Sequence, residues 1–274
     1  MIGAIIGDIV GSQYEWKEFK SKKFQFFTDS CHFTDDSLMT LAISAAFTLG
    51  RGHWREAGFQ KLVVSKMVEI ARRYQGASWG ESFYKWFMYN PVPYNSHGNG
   101  AAMRVSPVGW ISESEEDVRY FSRLVTEVSH NHPEGLKGAE SVAMAIYLAR
   151  SGASMEEIRT RMVEYYPEIE GMTVDGIRPY CRIDEAGMFI SCQGSVPQAI
   201  VCFLEAKDFE DAVRNAVSLG GDADTQGAIT GSIAEAYFGV PIEHEERALE
   251  YLTPNLRSIY YAFGTVKGRR VRRV

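Results

Sequence analysis

The stretch MIGAIIGDIVGS (residues 1–12) decides how the chain must fold. Gly3, Gly7 and Gly11 recur at helical spacing, and Gly227 and Gly231 repeat the pattern far downstream. Glycine inside a helix costs about 1 kcal/mol relative to alanine, so its recurrence on one face needs a compensating gain. Close approach of two helix backbones supplies one. The two glycine-bearing segments are therefore expected to cross tightly at the centre of the molecule. The first of them has no basic flank, and Asp8 interrupts its apolar run, so it reads as neither a signal peptide nor a membrane span.

Helical periodicity dominates the rest. Apolar residues at i, i+3/i+4 spacing predict helices over 37–50, 59–74, 116–130, 138–152, 155–167, 196–206, 209–219 and 227–239. Several of these end at Gly or Pro. No stretch sustains strand alternation, GMFISC (187–192) being the nearest, and no repeat or low-complexity linker appears. The expectation is one all-α domain over residues 1–274, an orthogonal multi-helix bundle, with a basic tail from about 265 to 274.

With 274 residues, 45% hydrophobic and 23% charged, the chain can bury a sizeable core. A net charge of −6 argues against nucleic acid as a partner, which wants a basic face. Arg269, Arg270, Arg272 and Arg273 are the exception, read as a solvated tail. Four cysteines without a C-x-x-C pair suit free thiols in a reducing compartment, so a cytoplasmic protein with no membrane association is expected.

Two acidic stretches open predicted helices. HFTDDSLMT (32–40) carries Asp35 and Asp36, and LGGDADTQGAITG (219–231) carries Asp222 and Asp224, each with a threonine beside the pair (Thr34, Thr225). Helix capping explains either one alone. It does not explain why two such starts should occur in an otherwise apolar helical domain. Glu15, two turns after Asp8, is a further acidic candidate. An EF-hand beginning at Asp222 fails, because its twelfth position is Ile233 rather than Glu. A D-x-D-x-T phosphatase also fails: Thr225 follows Asp224 directly, and Gly-Gly rather than a strand precedes. Clustered carboxylates are costly to bury unless a cation pairs with them, and an all-oxygen donor set favours Mg²⁺ or Mn²⁺ over zinc.

These residues stand in a recognisable order. GAIIGDIVGSQYE, FTDDS, GNGAAMR, SHNHPEG, SVPQAIVCFLEA and GGDADTQGAITG together resemble the ADP-ribosylglycohydrolases, including the dinitrogenase-reductase-activating kind, over residues 1 to about 240. The resemblance implies an all-α fold with a central binuclear Mg²⁺ or Mn²⁺ site. It also implies hydrolysis of the N- or O-glycosidic bond between ADP-ribose and a modified arginine, serine or small conjugate. Carried over by position, it puts metal ligands at Thr34, Asp35, Asp36, Asp222, Asp224 and Thr225. It places Glu15 beside the metals, and substrate contacts at Asn99, Gly100, Met103, His130, His132 and Gly135. Gln226 departs from the asparagine of many relatives without touching the ligand set.

Such a hydrolysis passes through an oxocarbenium-like transition state with a carboxylate activating water; Glu15 and Asp222 are both candidates for that base. His130 and His132 lack a third His or Cys nearby, so pocket lining or capping suits them better than zinc. The aromatic run 79–94 reads mainly as core, with Trp86 or Tyr94 as possible stacking partners for adenine. Two other readings compete with the hydrolase. One is a silent ADP-ribose-binding protein, and the other is a Mg²⁺-dependent all-α nucleotide pyrophosphatase, for which ESEED (113–117) lacks a partner motif.

Overall fold

The computed structural model describes residues 1–183 and 187–266, so the basic tail lies almost wholly outside the described residues. Its helices, in chain order, are α1 (Ile2–Ser12), α2 (Asp35–Leu49), α3 (Phe59–Arg73), α4 (Glu81–Met88), α5 (Gly100–Met103), α6 (Ser106–Ile111), α7 (Glu115–Thr126), α8 (Pro133–Arg150), α9 (Met155–Tyr165), α10 (Val174–Ile177), α11 (Cys192–Leu204), α12 (Phe209–Val217), α13 (Ala223–Phe238), α14 (Ile242–Tyr251) and α15 (Pro254–Val266). Among the described residues there is no β-strand, only two isolated bridges, Lys17 with Gly221 and Gly98 with Ser191. The fold is all-α.

Three helices are apolar on every side and lie inside. Each residue of α1 is buried, as are α2 from Asp36 to Phe47 and α13 from Ala223 to Glu235. A helix without a polar face belongs in a core. The glycines set how closely two of them meet. A Cβ on Gly7 would stand 1.9 Å from the carbonyl oxygen of Gly227, and one on Gly231 would stand 2.3 Å from that of Gly3. The α1 and α13 backbones thus touch directly, as the spacing of the glycines predicts. Glu235 of α13 accepts the Gly3 N–H at 2.8 Å, so α13 also caps the start of α1.

Amphipathic helices surround this pair. α7 starts at a Ser114 cap with three acidic residues in its first turn, and it turns Val118, Phe121 and Val125 inward. α9 carries a full capping box between Ser154 and Glu157. The buried apolar side chains form one contiguous cluster. Among the described residues, no helix is long and apolar enough to cross a membrane.

Two differences from the sequence reading have local causes. α11 begins at Cys192 rather than Val196 and runs through Pro197, because Ser191 caps it and Ser195 Oγ donates to the Ser191 carbonyl at 2.6 Å. GMFISC, the stretch nearest to strand alternation, forms no strand, in agreement with the sequence reading: Met188–Ile190 is a 3₁₀ turn, and Ser191 makes an isolated bridge to Gly98. α4, α14 and α15 were hidden in sequence, their short apolar faces being interleaved with aromatic or charged residues.

Gly7→Ala forces the central helices apart and is expected to cost at least about 3 kcal/mol, the upper range of core overpacking. Gly76→Ala, which meets open space, should stay within about 0.5 kcal/mol, as surface changes do. Urea melts of both variants check this; equal losses would mean that the α1–α13 approach is not a packing constraint.

Candidate active site

The α1–α13 crossing brings the acidic residues together. Asp8 follows Gly7 in the middle of α1, while Asp36 and Asp224 sit in the first turns of α2 and α13. Carboxylate oxygens of Asp8, Asp36 and Asp224 lie within 4.8 Å of one another, and so do those of Glu15, Asp222 and Asp224. Asp224 is common to both trios. Asp35 lies outside them but lines the same cavity.

Capping accounts for one acidic start only. Thr34 Oγ1 accepts the Asp36 N–H at 3.3 Å, so Thr34 caps α2. The same hydroxyl donates to Asp8 at 2.7 Å. Asp8 also accepts the N–H groups of Thr34 (3.0 Å) and Ser37 (3.1 Å), so its charge sits on the positive end of α2. Asp222, by contrast, occupies the N-cap position of α13 without capping it. Its carboxylate instead accepts from Asn99 Nδ2 at 2.5 Å. Thr225 Oγ1 donates to Asp36 Oδ2 at 3.3 Å, and Asp36 Oδ1 is buried with no partner.

The electrostatics follow from this crowding. Burial raises the Asp8 carboxyl above the ordinary range. Asp35, Asp36 and Asp224 are pushed well above it, by burial first and then by neighbouring carboxylates. Burial raises Asp222 as well, against the hydrogen bonds from Asn99 and its own turn. Glu15 rises to about 7, through burial first and then Asp222. Trp16 acts against this rise: a non-glycine residue at φ +60°, a sparsely populated conformation, it donates its indole N–H to Glu15 Oε1 at 2.6 Å. An anionic cluster of this kind, with an orphaned buried oxygen, has the donor chemistry of a divalent-cation site.

Two backbone bridges join the loops of the site. At the Lys17–Gly221 bridge the Gly221 N–H donates to Lys17 O at 2.9 Å and the Trp16 N–H to Gly221 O at 2.8 Å, tying the Glu15 loop to the Gly-Gly turn. Gly220 and Gly221 take φ of +70° and +74°, open to glycine at little cost. Asn99 N–H donates to Ile190 O at 2.9 Å, fixing the GNG loop against the start of α11.

A cavity of about 320 Å³ opens over the carboxylates. Asn99, Gly100, Met103 and His130 line it, as the sequence suggested, together with Thr225, Tyr94 and Phe83. His132 and Gly135 do not. His132 Nδ1 accepts the Glu134 N–H at 3.1 Å as the cap of α8, and Gly135 packs behind the wall against Ser96 and His130. Trp86 is also removed from the cavity: it is buried and donates its indole N–H to Val128 O. Asp8 and Arg104 were missed as site residues. A lone acid inside an apolar glycine helix was the available signal for Asp8; nothing local marked Arg104, whose guanidinium is buried beneath the cavity.

Comparison with known proteins gives the family of the chain and its fold. A family model described as ADP-ribosylglycohydrolase matches residues 1–251. Mouse ADP-ribosylhydrolase ARH3 is 27% identical, over 88% of this chain and 83% of its own length. The ADP-ribosylarginine hydrolase Tri1 of Pseudomonas putida is 23% identical, over 88% and 70%. A solved structure titled ADP-ribosylglycohydrolase-related protein complex superposes with a TM-score of 0.68 over 98% of this chain and 96% of its own, at 21% identity, a likeness of fold. With nearly its whole length matched by that family model, the chain belongs to the ADP-ribosylglycohydrolase family.

Proposed function

We propose that the protein is a metal-dependent hydrolase that cleaves the glycosidic bond between ADP-ribose and a modified arginine, serine or small conjugate. The observation that carries this reading is the pair of carboxylate trios sharing Asp224 at the base of an open cavity. Two Mg²⁺ or Mn²⁺ ions would suit this donor set: Asp36, Asp222 and Asp224 of the trios and Asp35 from the same cavity, with the hydroxyls of Thr34 and Thr225, would hold them. Asp8, sitting on the α2 N-terminus, supports that set from below. When bound, the ions supply Lewis acidity toward the ribose hydroxyls and the attacking water.

The protein's own groups do the remaining work. Asn99 holds Asp222 in place through the 2.5 Å bond, which engages one oxygen of that carboxylate. Glu15 has one oxygen engaged by the Trp16 indole and has a carboxyl near 7, the range in which a general base works best at neutral pH. We therefore assign it the water proton. The glycines of the GNG loop let backbone N–H groups approach the pyrophosphate. Four free cysteines, three of them buried, suit the cytoplasmic setting inferred from sequence.

The first test is thermal. The cluster's carboxyls are raised above their unfolded values, so without metal their stabilisation is complete at low pH and is lost as pH rises through the folded values. In EDTA, melting temperature should therefore fall between pH 5 and pH 8. Mg²⁺ at a hundred times its Kd should restore about 2.7 kcal/mol per site, roughly 5–10 °C. Asp36→Asn should raise the melting temperature of the metal-free protein at pH 8 while abolishing turnover. A melting curve at pH 8 indifferent to EDTA and to Mg²⁺ would remove the metal from the reading.

The second test separates base from ligand. Glu15→Gln keeps the hydrogen-bonding atoms but not the basicity, and should slow single-turnover hydrolysis of ADP-ribosyl-arginine or ADP-ribosyl-serine peptides about 10²–10⁴-fold. Its ADP-ribose affinity should stay within a few-fold of wild type. Asp222→Ala should lose metal, affinity and turnover together. If Glu15→Gln turns over within a few-fold of wild type, Asp222 takes the role of base.

A further inference from the structure

The cavity lining carries an unusual group. Arg104 is 1% exposed, with its guanidinium 5.6 Å from the Phe83 ring centroid. Its Nη2 donates to Ser129 Oγ at 2.7 Å and faces His130 Nδ1 at 3.3 Å, while Ser129 Oγ lies 2.8 Å from the same Nδ1. Its Nε has no partner. A guanidinium has donors only, so Ser129 Oγ accepts from it, and a proton on Nδ1 would stand against the Arg104 N–H groups. Ser129 Oγ, having accepted from Arg104, has its own proton free to donate to Nδ1. Every hydrogen bond in the chain Arg104, Ser129, His130 then points the same way.

We propose that Arg104 and Ser129 are positioning residues that lock His130 as a neutral, Nε2-protonated imidazole, a fixed hydrogen-bond donor to an anionic phosphate oxygen of the ligand. Nδ1 carries the lone pair, so in the neutral ring the proton stands on Nε2. That nitrogen lies against the GNG loop: a Cβ on Gly100 would meet it at 3.2 Å and one on Gly98 at 3.6 Å. Among the described residues Nε2 has no protein hydrogen-bond partner, and His130 lines the cavity. The imidazolium form is disfavoured separately, by burial first and then by the charges of Arg104 and His97. Arg104 itself, pushed down to about 10 by burial, remains a cation at neutral pH. The remaining neighbour is Tyr94, whose ring centroid stands 5.8 Å from that of His130.

A donor built this way suits a phosphate oxygen better than a charged one shared with Mg²⁺ would. It offers one directed proton, it does not titrate away, and it adds no repulsion to cations bound by the carboxylates. The identity of the ligand rests on the function proposed above; the tautomer does not.

The experiment is long-range ¹⁵N–¹H NMR of the histidine rings in the full, ligand-free chain from pH 5.5 to 8, alongside ADP-ribose calorimetry. In wild type, His130 should show a single neutral Nε2–H pattern with no titration across the range. Ser129→Ala leaves the cation and the ring but removes the relay. It should introduce the Nδ1–H form or a titration within the range, and weaken ADP-ribose binding about tenfold, the worth of one hydrogen bond to a charged oxygen. An Nδ1–H or imidazolium signal in wild type overturns the proposal, as does a Ser129→Ala protein with unchanged tautomer and affinity. Arg104→Met, folded by circular dichroism, should repeat the Ser129→Ala pattern. Wild type that shows the Nε2–H pattern but fails to bind ADP-ribose overturns the ligand and the hydrolase reading while leaving the tautomer established.

Discussion

The direct contact between the α1 and α13 backbones is the constraint on which the rest of the structure depends. A Cβ on Gly7 would come within 1.9 Å of the Gly227 carbonyl oxygen, so nothing larger than hydrogen fits between these helices. That approach puts Asp8, the residue after Gly7, at the level of the first turn of α13. α2 packs alongside with its N-terminus on Asp8, through the Thr34 and Ser37 N–H groups. Three elements far apart in sequence thereby deliver their carboxylates to one point.

Such a point is electrostatically expensive, and the molecule offsets the cost only in part. Helix N-termini and hydroxyls solvate some oxygens: Asp8 accepts three hydrogen bonds, from the Thr34 hydroxyl and the Thr34 and Ser37 N–H groups, and Asp36 receives the Thr225 hydroxyl. The largest remaining influences on Asp36 after burial are Asp8, Asp35 and Asp222, all of the same sign. One of its oxygens has no partner at all. A cluster of like charges kept buried in this way is the arrangement expected of a site that binds cations rather than of a structural network.

Two parts of the cavity are complementary in character. Asp35, Asp36, Asp222, Asp224 and Glu15 form its acidic lining; Arg104 and His130 line it as well, with the buried guanidinium donating to Ser129. On the proposed function, ribose hydroxyls with their cations belong at the first and phosphate oxygens at the second. The aromatic helix α4 has a part in this lining that is easily mistaken for a ligand platform. Phe83 lies beside Arg104, and Trp86 holds the Val128 carbonyl, two residues before His130.

By itself the sequence determined the all-α class, eight of the amphipathic or apolar helices to within about five residues at each end, and the close crossing announced by Gly3, Gly7, Gly227 and Gly231. Each is a matter of local periodicity or of a residue type with one physical use. It also marked the acidic starts at Asp35–Asp36 and Asp222–Asp224, because carboxylates ahead of apolar helices are conspicuous. Only the tertiary structure decided which of them meet. Asp8 joins Asp36 and Asp224, Asp35 stands aside, and Asp222 turns to Asn99 instead of capping its own helix. It likewise divided the histidines, giving His130 to the cavity and His132 to the cap of α8. These outcomes rest on contacts between residues separated by most of the chain, such as Thr225 with Asp36 and Asn99 with Asp222. Their directions are set by how helices pack against one another, and no local pattern of residues encodes that.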